Sequence, residues 1–305
     1  MSKTEPRGVI PAIPTPFTAD GRNVDEEALR RVVRHVVDAG VHGIMTTGGT
    51  GEFPHLSRDE RRRVAEVVAL ESAGAVPIFA GTAACSTLEA ITLMDDAAAA
   101  GADAAILVPP FYFPLPDETL HQFFEEVAGA GVLPVVVYNN PLYTGNPLGP
   151  TLIASLMEVD NVVGLKQSAD DLGQLVEGLR LSEASGRPLC TGIDSQFYAA
   201  LCVGAAGIFS TAAAIVPVQI VRLWDAFQAG DHDSALEQHR LLQPLNRFLE
   251  YDPGYVSPTK EALDMMGISC GPVRRPLPDF PEGERAALRE ALAGLGALEP
   301  SGVAA

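Results

Sequence analysis

The sequence predicts an α/β fold: a (β/α)8 barrel (TIM barrel) with a C-terminal helical extension. Eight short apolar runs recur with amphipathic stretches between them, and the last 75 or so residues continue with helical patterns alone. Strands that alternate with helices pair in parallel, and eight such units in about 225 residues match the size of this barrel. An open, doubly wound sheet is the alternative, because hydrophobic periodicity does not distinguish an open sheet from a closed one.

The eight predicted strands are rich in Val, Ile and Leu and are bounded by Gly, Pro or polar residues, as strands of a buried parallel sheet are. In chain order they are Val9–Pro14, Gly43–Thr47, Val76–Gly81, Ala104–Pro109, Pro134–Asn139, Val162–Gln167, Leu189–Ile193 and Gly207–Ser210.

Amphipathic stretches predict helices between these strands, at Asp25–Ala39, Ser57–Glu71, Ser86–Ala100 and Asp117–Ala130. Ser57 begins one of them and precedes Glu60 by three residues, the spacing of a capping box. Ser86 precedes Glu89 by the same spacing. Glycine stands near the helix ends, as is typical of C-terminal caps, at Gly40, Gly74, Gly101 and Gly131.

Helical patterns without strands follow at Asp233–Leu249, Thr259–Met266 and Glu282–Leu295, and Asp252-Pro253-Gly254 marks a turn among them. We therefore predict one domain in two parts. Residues 1–228 form the catalytic barrel, and residues 229–305 form a helical extension of the same domain.

Composition excludes several functions. The chain has 21 Lys and Arg against 39 Asp and Glu, a formal net charge of −18, so we expect no nucleic acid and no anionic membrane as partner.

No secretory or membrane-spanning apolar stretch is present in the sequence. His232 and His239 do not have the spacing of zinc ligands, so no metal site is predicted. The thiols are scattered, which favours a reduced, cytoplasmic protein: Cys85, Cys190, Cys202 and Cys270.

Only three lysines occur, at positions 3, 166 and 260, and Lys166 is the one near the end of a predicted buried strand. Burial favours the neutral form of a lysine amine. A neutral amine attacks a ketone to form a Schiff base, which acts as an electron sink for chemistry at the adjacent carbon. The alternative is that Lys166 extends past the strand end or pairs with a carboxylate such as Asp194. We expect Lys3 and Lys260 to lie at the surface.

The loop Gly48-Gly49-Thr50-Gly51-Glu52 follows the second predicted strand. Adjacent glycines let backbone N–H groups approach an anion closely, and no Gly-Lys-[Ser/Thr] follows that would make it a nucleotide-binding P-loop. The N–H groups of Gly49 and Thr50 are therefore candidates to bind a small carboxylate. A tight turn without a ligand is the alternative.

Two tyrosines follow predicted strands. Tyr138 ends the fifth strand, where a phenol can exchange protons with a substrate oxygen or simply pack at the sheet edge. Tyr112 has the same two interpretations, and its apolar loop is also a candidate subunit contact. Because strand ends of a barrel meet on one face, we expect Thr50, Tyr112, Tyr138 and Lys166 to converge there.

In these residues the chain resembles the dihydrodipicolinate synthase / N-acetylneuraminate lyase superfamily of Schiff-base aldolases and lyases. The resemblance extends from Gly8–Phe17 to the C-terminal helices. It is carried by the loop Gly48–Glu52, by Tyr138-Asn139-Asn140-Pro141 followed by Thr144-Gly145, and by Gly164-Leu165-Lys166.

The resemblance implies a cytoplasmic, pyruvate-dependent enzyme that needs no cofactor and assembles as a homotetramer, a dimer of dimers. Lys166 would form the imine with a 2-keto acid, Tyr138 would be the general acid/base, and Tyr112 would reach the proton relay of a neighbouring subunit. The amides of Gly49 and Thr50 would hold the keto-acid carboxylate, and Phe209 would pack near the lysine.

Two positions depart from the family pattern. Gly49 lacks the hydroxyl that a Thr or Ser usually supplies there, so Thr50 or a water is expected to replace it. Tyr143 stands where lysine-biosynthetic members carry an Arg, and a phenol cannot form the forked pair that a guanidinium makes with a carboxylate.

These departures favour an aldolase or lyase that acts on 2-keto-3-deoxy sugar acids, or on related hydroxy-keto acids, with an aldehyde as second substrate. The alternatives within the superfamily are 4-hydroxy-tetrahydrodipicolinate synthase and a keto-acid dehydratase or deaminase. An alternative of another class is a non-catalytic keto-acid sensor.

Overall fold

The structure, a computed structural model, describes residues 4–169, 171–250 and 254–298. Eight strands lie in one sheet, in which every pair is parallel. They are β1 (Gly8–Pro11), β2 (Ile44–Thr46), β3 (Ile78–Gly81), β4 (Ala104–Leu107), β5 (Val135–Asn139), β6 (Val162–Gln167), β7 (Leu189–Thr191) and β8 (Gly207–Ser210). The predicted α/β class is confirmed. The bounds of β6 and β8 are as predicted, whereas the other six strands are shorter.

The sheet closes into a barrel, so the open-sheet alternative is wrong. β1 pairs with β8, and the order then continues through β7 to β2. The remaining gap between β2 and β1 is spanned by a parallel bridge between Ala12 and Met45, where the amide of Ile13 donates to the Met45 carbonyl at 3.0 Å.

Helices cover the outside of the barrel in the order that the sequence predicts. The first four are α1 (Glu26–Asp38), α2 (Arg58–Ser72), α3 (Thr87–Ala99) and α4 (Asp117–Gly129). Both predicted caps form: Ser57 and Glu60 make a reciprocal capping box, and the Ser86 hydroxyl accepts from the amide of Glu89 at 3.2 Å.

Further helices accompany the second half of the barrel and the extension. They are α5 (Pro141–Thr144), α6 (Pro150–Leu156), α7 (Leu172–Ser185), α8 (Phe197–Cys202), α9 (Ala212–Ile215), α10 (Pro217–Gln228), α11 (His232–Glu250), α12 (Val256–Met265) and α13 (Arg285–Gly294). The three late helical patterns are confirmed as α11, α12 and α13, whereas the division at residue 228 stays a prediction. Asp252 and Pro253 of the predicted turn lie outside the described residues.

The core has two layers. Side chains that point into the barrel form a small cluster, which includes Ile10, Phe79, Val136 and Phe209. A larger cluster fills the space between sheet and helices, and it includes Leu288 and Leu292 of α13. Helix α13 thus packs against the same core as the helices of the barrel.

Within the described ranges, none of the helices combines the length and the hydrophobicity that a membrane crossing requires. The cytoplasmic location of the protein stays a prediction.

Candidate active site

A cavity of about 380 Å³ opens at the carboxyl ends of the barrel strands. Six of the residues selected from the sequence line it: Gly49, Thr50, Tyr138, Tyr143, Lys166 and Phe209. Tyr112 does not, because it lies in the loop after β4 with 85% of its surface exposed. In a barrel of this kind the strand ends carry the active site, so the cavity is the candidate site.

Lys166 lies on β6 and is 5% exposed. Its Nζ lies 3.9 Å from the Met45 Sδ, 3.8 Å from the centre of the Tyr138 ring and 5.5 Å from that of Phe209. No carboxylate of the described residues is within ion-pair distance of it. Both sequence alternatives for Lys166 are therefore wrong, since the amine neither extends into solvent nor pairs with Asp194.

The strand register places Tyr138 beside Lys166. The pairing of β5 with β6 shifts between Val135 and Val136, and beyond the shift Tyr138 stands directly opposite Lys166. Neighbouring residues in register point to the same face of a sheet, so both side chains enter the barrel mouth. The Tyr138 hydroxyl accepts a hydrogen bond from the Asn140 side chain at 2.8 Å, which leaves its own proton available to a substrate.

Gly192, just after β7, makes room for the lysine side chain. An ideal Cβ at this position would lie 2.6 Å from Lys166 Cε and would overlap Ser168 Oγ. Contacts that close do not occur between real side chains. A glycine is thus required here if Lys166 is to keep its path into the cavity.

The loop between β2 and α2 presents free backbone donors. Among the hydrogen bonds of the described residues, none is donated by the amides of Gly49 or Thr50. The loop is bounded by two non-glycine residues in the left-handed region, Thr47 at φ 51° and Glu52 at φ 56°. Such conformations persist only where the surroundings hold them.

Glu52 is held by the C-terminal extension. Its carboxylate lies 2.5 Å from Lys260 Nζ of α12 and accepts from the Arg274 amide at 2.9 Å. The expectation that Lys260 lies at the surface is wrong, since Lys260 is 2% exposed and Glu52 is 1% exposed. Burial lowers the pKa of Lys260, and the neighbouring Glu52 opposes that shift. Lys3 lies outside the described residues.

That Thr50 or a water replaces the hydroxyl missing at position 49 stays a prediction. The Thr50 Oγ1 lies 3.2 Å from the Thr211 Oγ1, with which it shares a hydrogen bond. Tyr255 is the residue immediately before α12. Its hydroxyl occupies the space where a Cβ of residue 49 would lie. The Tyr255 ring also contacts Tyr143 edge to face, with 5.9 Å between ring centres.

The cavity lining is acidic, since it includes Asp171, Asp194 and Glu250. Among the described lining residues Lys166 is the only basic side chain. Asp194 accepts from Ser210 Oγ and from the amides of Thr211 and Ala212 at 3.0 and 3.2 Å. Burial nevertheless raises its pKa to about 7, and the charge of Glu250 adds to the shift.

Three features of the site were not expected from the sequence: Gly192, Tyr255 and the pair of Glu52 with Lys260. Gly192 carried a weak signal, because it directly follows a predicted strand. Tyr255 and Lys260 carried none, since both belong to a segment far along the chain whose docking on the barrel leaves no local pattern. Among the described residues, no group of three or more His, Cys, Asp or Glu is arranged to hold a metal ion.

The fold and the cavity define a class: a (β/α)8-barrel enzyme with a buried lysine and a tyrosine at the ends of adjacent strands. The comparisons with known proteins identify the family. The chain belongs to the dihydrodipicolinate synthetase family, whose model matches residues 5–294, and it is a carbon–carbon lyase of that superfamily.

A curated relative from Methanopyrus kandleri, 4-hydroxy-tetrahydrodipicolinate synthase, is 38% identical over 298 residues, 97% of this chain and 98% of the relative. The crystal structure of dihydrodipicolinate synthase from Thermotoga maritima matches with a TM-score of 0.91 at 31% identity, covering 96% of this chain and 99% of that one. YagE, a prophage protein from E. coli K12 in complex with pyruvate, has the same TM-score at 29% identity, with 95% and 99% covered.

Proposed function

We propose that this protein forms a Schiff base between Lys166 and pyruvate or a related 2-keto acid, and makes or breaks a carbon–carbon bond on that imine. The observation that carries the proposal is the Lys166 amine, which is buried at the cavity floor with no carboxylate partner among the described residues. Among the described residues no ion pair engages this amine, so it can act as a nucleophile. The pyruvate complex of the similar YagE supports the choice of keto acid.

The chemistry follows from the positions of the side chains. The Lys166 amine adds to the keto carbon, and water leaves to give a protonated imine, which accepts the electron pair of the bond that breaks. The amides of Gly49 and Thr50 bind the keto-acid carboxylate. Tyr138, opposite Lys166 in the sheet register, moves a proton to and from the oxygen of the aldehyde part. Phe209 packs beside the amine.

The second substrate is an aldehyde, and the cavity favours one without a carboxylate. Tyr143 contributes a phenol, not a cation, and the lining includes Asp171, Asp194 and Glu250. Carboxylates accept hydrogen bonds from hydroxyl groups and repel a second carboxylate. These contacts support a polyhydroxylated partner, and thus a 2-keto-3-deoxy sugar acid as the product or substrate.

A second candidate function is 4-hydroxy-tetrahydrodipicolinate synthase, and the comparisons favour it over the sugar-acid aldolase. The M. kandleri relative has that name, and the match covers 98% of its length. Its partner aldehyde, aspartate semialdehyde, has a carboxylate. The cavity lining of the described residues supplies no second cation for that group.

One experiment tests the shared step. Pyruvate and borohydride are expected to leave a reduced three-carbon adduct on Lys166 in the wild type and none in Lys166→Ala, as intact mass and peptide mapping would show. A wild type without the adduct contradicts the proposal. Lys260→Arg is the matched control, because it keeps the second buried cation and should retain the adduct.

A second experiment decides between the partners. Pyruvate release from a panel of 2-keto-3-deoxy acids is compared with condensation of pyruvate and aspartate semialdehyde, in the wild type and in Tyr143→Arg. A sugar-acid aldolase releases pyruvate and gains semialdehyde condensation only with the arginine, whereas a synthase condenses the semialdehyde without it. Consumption of the keto acid without pyruvate release indicates a dehydratase or deaminase, and an adduct without turnover indicates a sensor.

We also propose a homotetramer, a dimer of dimers, in which Tyr112 reaches the cavity of a neighbouring subunit. Its side chain and that of Phe113 are 85% and 68% exposed, and their rings pack against each other with 4.9 Å between centres. Exposed aromatic pairs of this kind are typical of protein interfaces. Tyr112→Asp is expected to dissociate the dimer in sedimentation velocity.

A further inference from the structure

Position 49 and Tyr255 share one small volume of the cavity. An ideal Cβ on Gly49 would overlap the Tyr255 hydroxyl oxygen, while Cζ and Cε2 of the same ring would remain at 3.4 and 3.7 Å, ordinary contact distances. Of these three atoms, only the oxygen of Tyr255 therefore excludes a Cβ at position 49. Glycine at this position and tyrosine at 255 are a matched pair.

Tyr255 belongs to the lining of the candidate active site. It lines the same cavity as Lys166 and Tyr138, and its ring packs against Tyr143. Burial raises the pKa of Tyr255 well above its usual value, and the neighbouring Tyr138 and Tyr143 raise it further. A phenol that keeps its proton is a hydrogen-bond donor across the neutral pH range.

We infer that Tyr255 is a positioning residue for Tyr138: its hydroxyl, seated over Gly49, donates a hydrogen bond that stabilises the Tyr138 phenolate. When Tyr138 gives its proton to the substrate oxygen, the phenolate that remains accepts this bond, and the proton of Tyr255 stays in place. Stabilisation of the charged form of an acid makes proton transfer easier at a given pH. The inference rests on the proposed function, since it concerns the proton transfer of that reaction.

The first test is Tyr255→Phe, which removes one oxygen and keeps the ring. Turnover is expected to fall about 100-fold, within the range that a lost proton-transfer partner costs. The pyruvate–borohydride adduct at Lys166 should form as in the wild type, because it does not need Tyr138. The limb of the pH–rate profile that reports Tyr138 should move to higher pH. Tyr198→Phe is the matched control, because it removes a phenol that lies beside Phe227 and His232. It should leave the rate and the pH–rate profile unchanged.

The second test moves the hydroxyl to the other residue. Gly49→Ser alone should lose activity, because its Cβ displaces the Tyr255 hydroxyl. In the double variant Gly49→Ser/Tyr255→Phe, the Cβ meets only ring carbons at contact distance, and the serine supplies the oxygen. Activity is expected to recover at least tenfold over Tyr255→Phe, and Gly49→Thr should behave in the same way.

The outcomes separate this inference from the proposed function. Wild-type turnover and profile in Tyr255→Phe overturn the inference, as does failure of both Ser and Thr at position 49 to restore activity. A loss of turnover together with loss of the adduct also overturns it, since Tyr255 would then only hold the fold. A wild type that forms no adduct contradicts the proposed function instead.

Discussion

Two buried lysines of this chain differ in what surrounds their amines. Lys260 is 2% exposed and its amine has two polar partners: the Glu52 carboxylate at 2.5 Å and the Pro272 carbonyl at 3.0 Å. Lys166 is 5% exposed and meets a thioether and aromatic faces. Burial alone therefore does not distinguish a structural lysine from the one that we propose to be reactive. The presence of a carboxylate does, because an ion pair holds the amine protonated and fixed.

The largest effect should come from removing one charge of the paired site. Lys260→Met leaves the Glu52 carboxylate buried without its cation, and we expect the free energy of unfolding to fall by about 3–5 kcal/mol. Lys166→Met leaves no charge unpaired, and its change should stay below about 1.5 kcal/mol. Urea unfolding at pH 7 measures both.

The double variant Lys260→Met/Glu52→Gln is the control for this difference. It removes both charges and should recover at least half of the loss. Equal stability losses in the two single lysine variants would contradict the contrast between the sites.

A smaller effect is expected when the surroundings of Lys166 are changed and its amine is kept. Gly192→Ala places a methyl group 2.6 Å from Lys166 Cε, and the side chain must move aside. Displacement of a reacting group by about 1 Å costs on the order of 100-fold in rate, so kcat should fall by about that factor while the adduct forms more slowly. Gly149→Ala, where a Cβ meets nothing within 4 Å, is the control. Wild-type kcat in Gly192→Ala would show that Lys166 does not need this path.

The smallest effect concerns Asp194, a buried acid that has no cationic partner among the described residues. Burial raises the pKa of Asp194 from 3.8 to about 7, so the folded protein binds more protons than the unfolded chain between these values. This contribution to stability is complete below pH 3.8 and is lost as pH rises through 7. Between pH 6 and 8 the wild type should lose about 1 kcal/mol relative to Asp194→Asn. Parallel stability curves for the two proteins over this range, from urea titrations, would contradict the shift.

Local signals in the sequence predicted most of the fold. Ser57 with Glu60 begins α2 as a capping box, and the apolar run Val162–Gln167 is β6 with the predicted bounds. Strand ends were less predictable. The predicted run Val9–Pro14 extends beyond the end of β1 at Pro11. Just past that end, Ala12 bridges Met45 and closes the barrel. That is a tertiary contact without a local pattern.

The candidate site divides in the same way. Lys166 and Tyr138 could be selected because each ends a predicted strand, and parallel strands bring their ends together. Lys260 was expected at the surface, since a lysine in an amphipathic helix is usually solvated. Its burial depends on Glu52, and only the folded chain brings these two residues together. The placement of the Tyr255 hydroxyl beside Gly49 likewise depends on segments that are far apart in the sequence.

The contacts of Glu52 with Lys260 and Arg274 also bear on the order in which the protein folds during translation. Arg274, whose amide binds Glu52, is 222 positions further along the chain, and Lys260 likewise follows all eight strands. A nascent chain synthesised from its N-terminus can assemble every barrel strand while Glu52 still lacks both partners. The left-handed turn that shapes the Gly49–Thr50 donors is secured only after α12 and the segment behind it have left the ribosome. A chain stalled before residue 260 should therefore be a barrel in which the Gly49–Thr50 loop is not yet fixed.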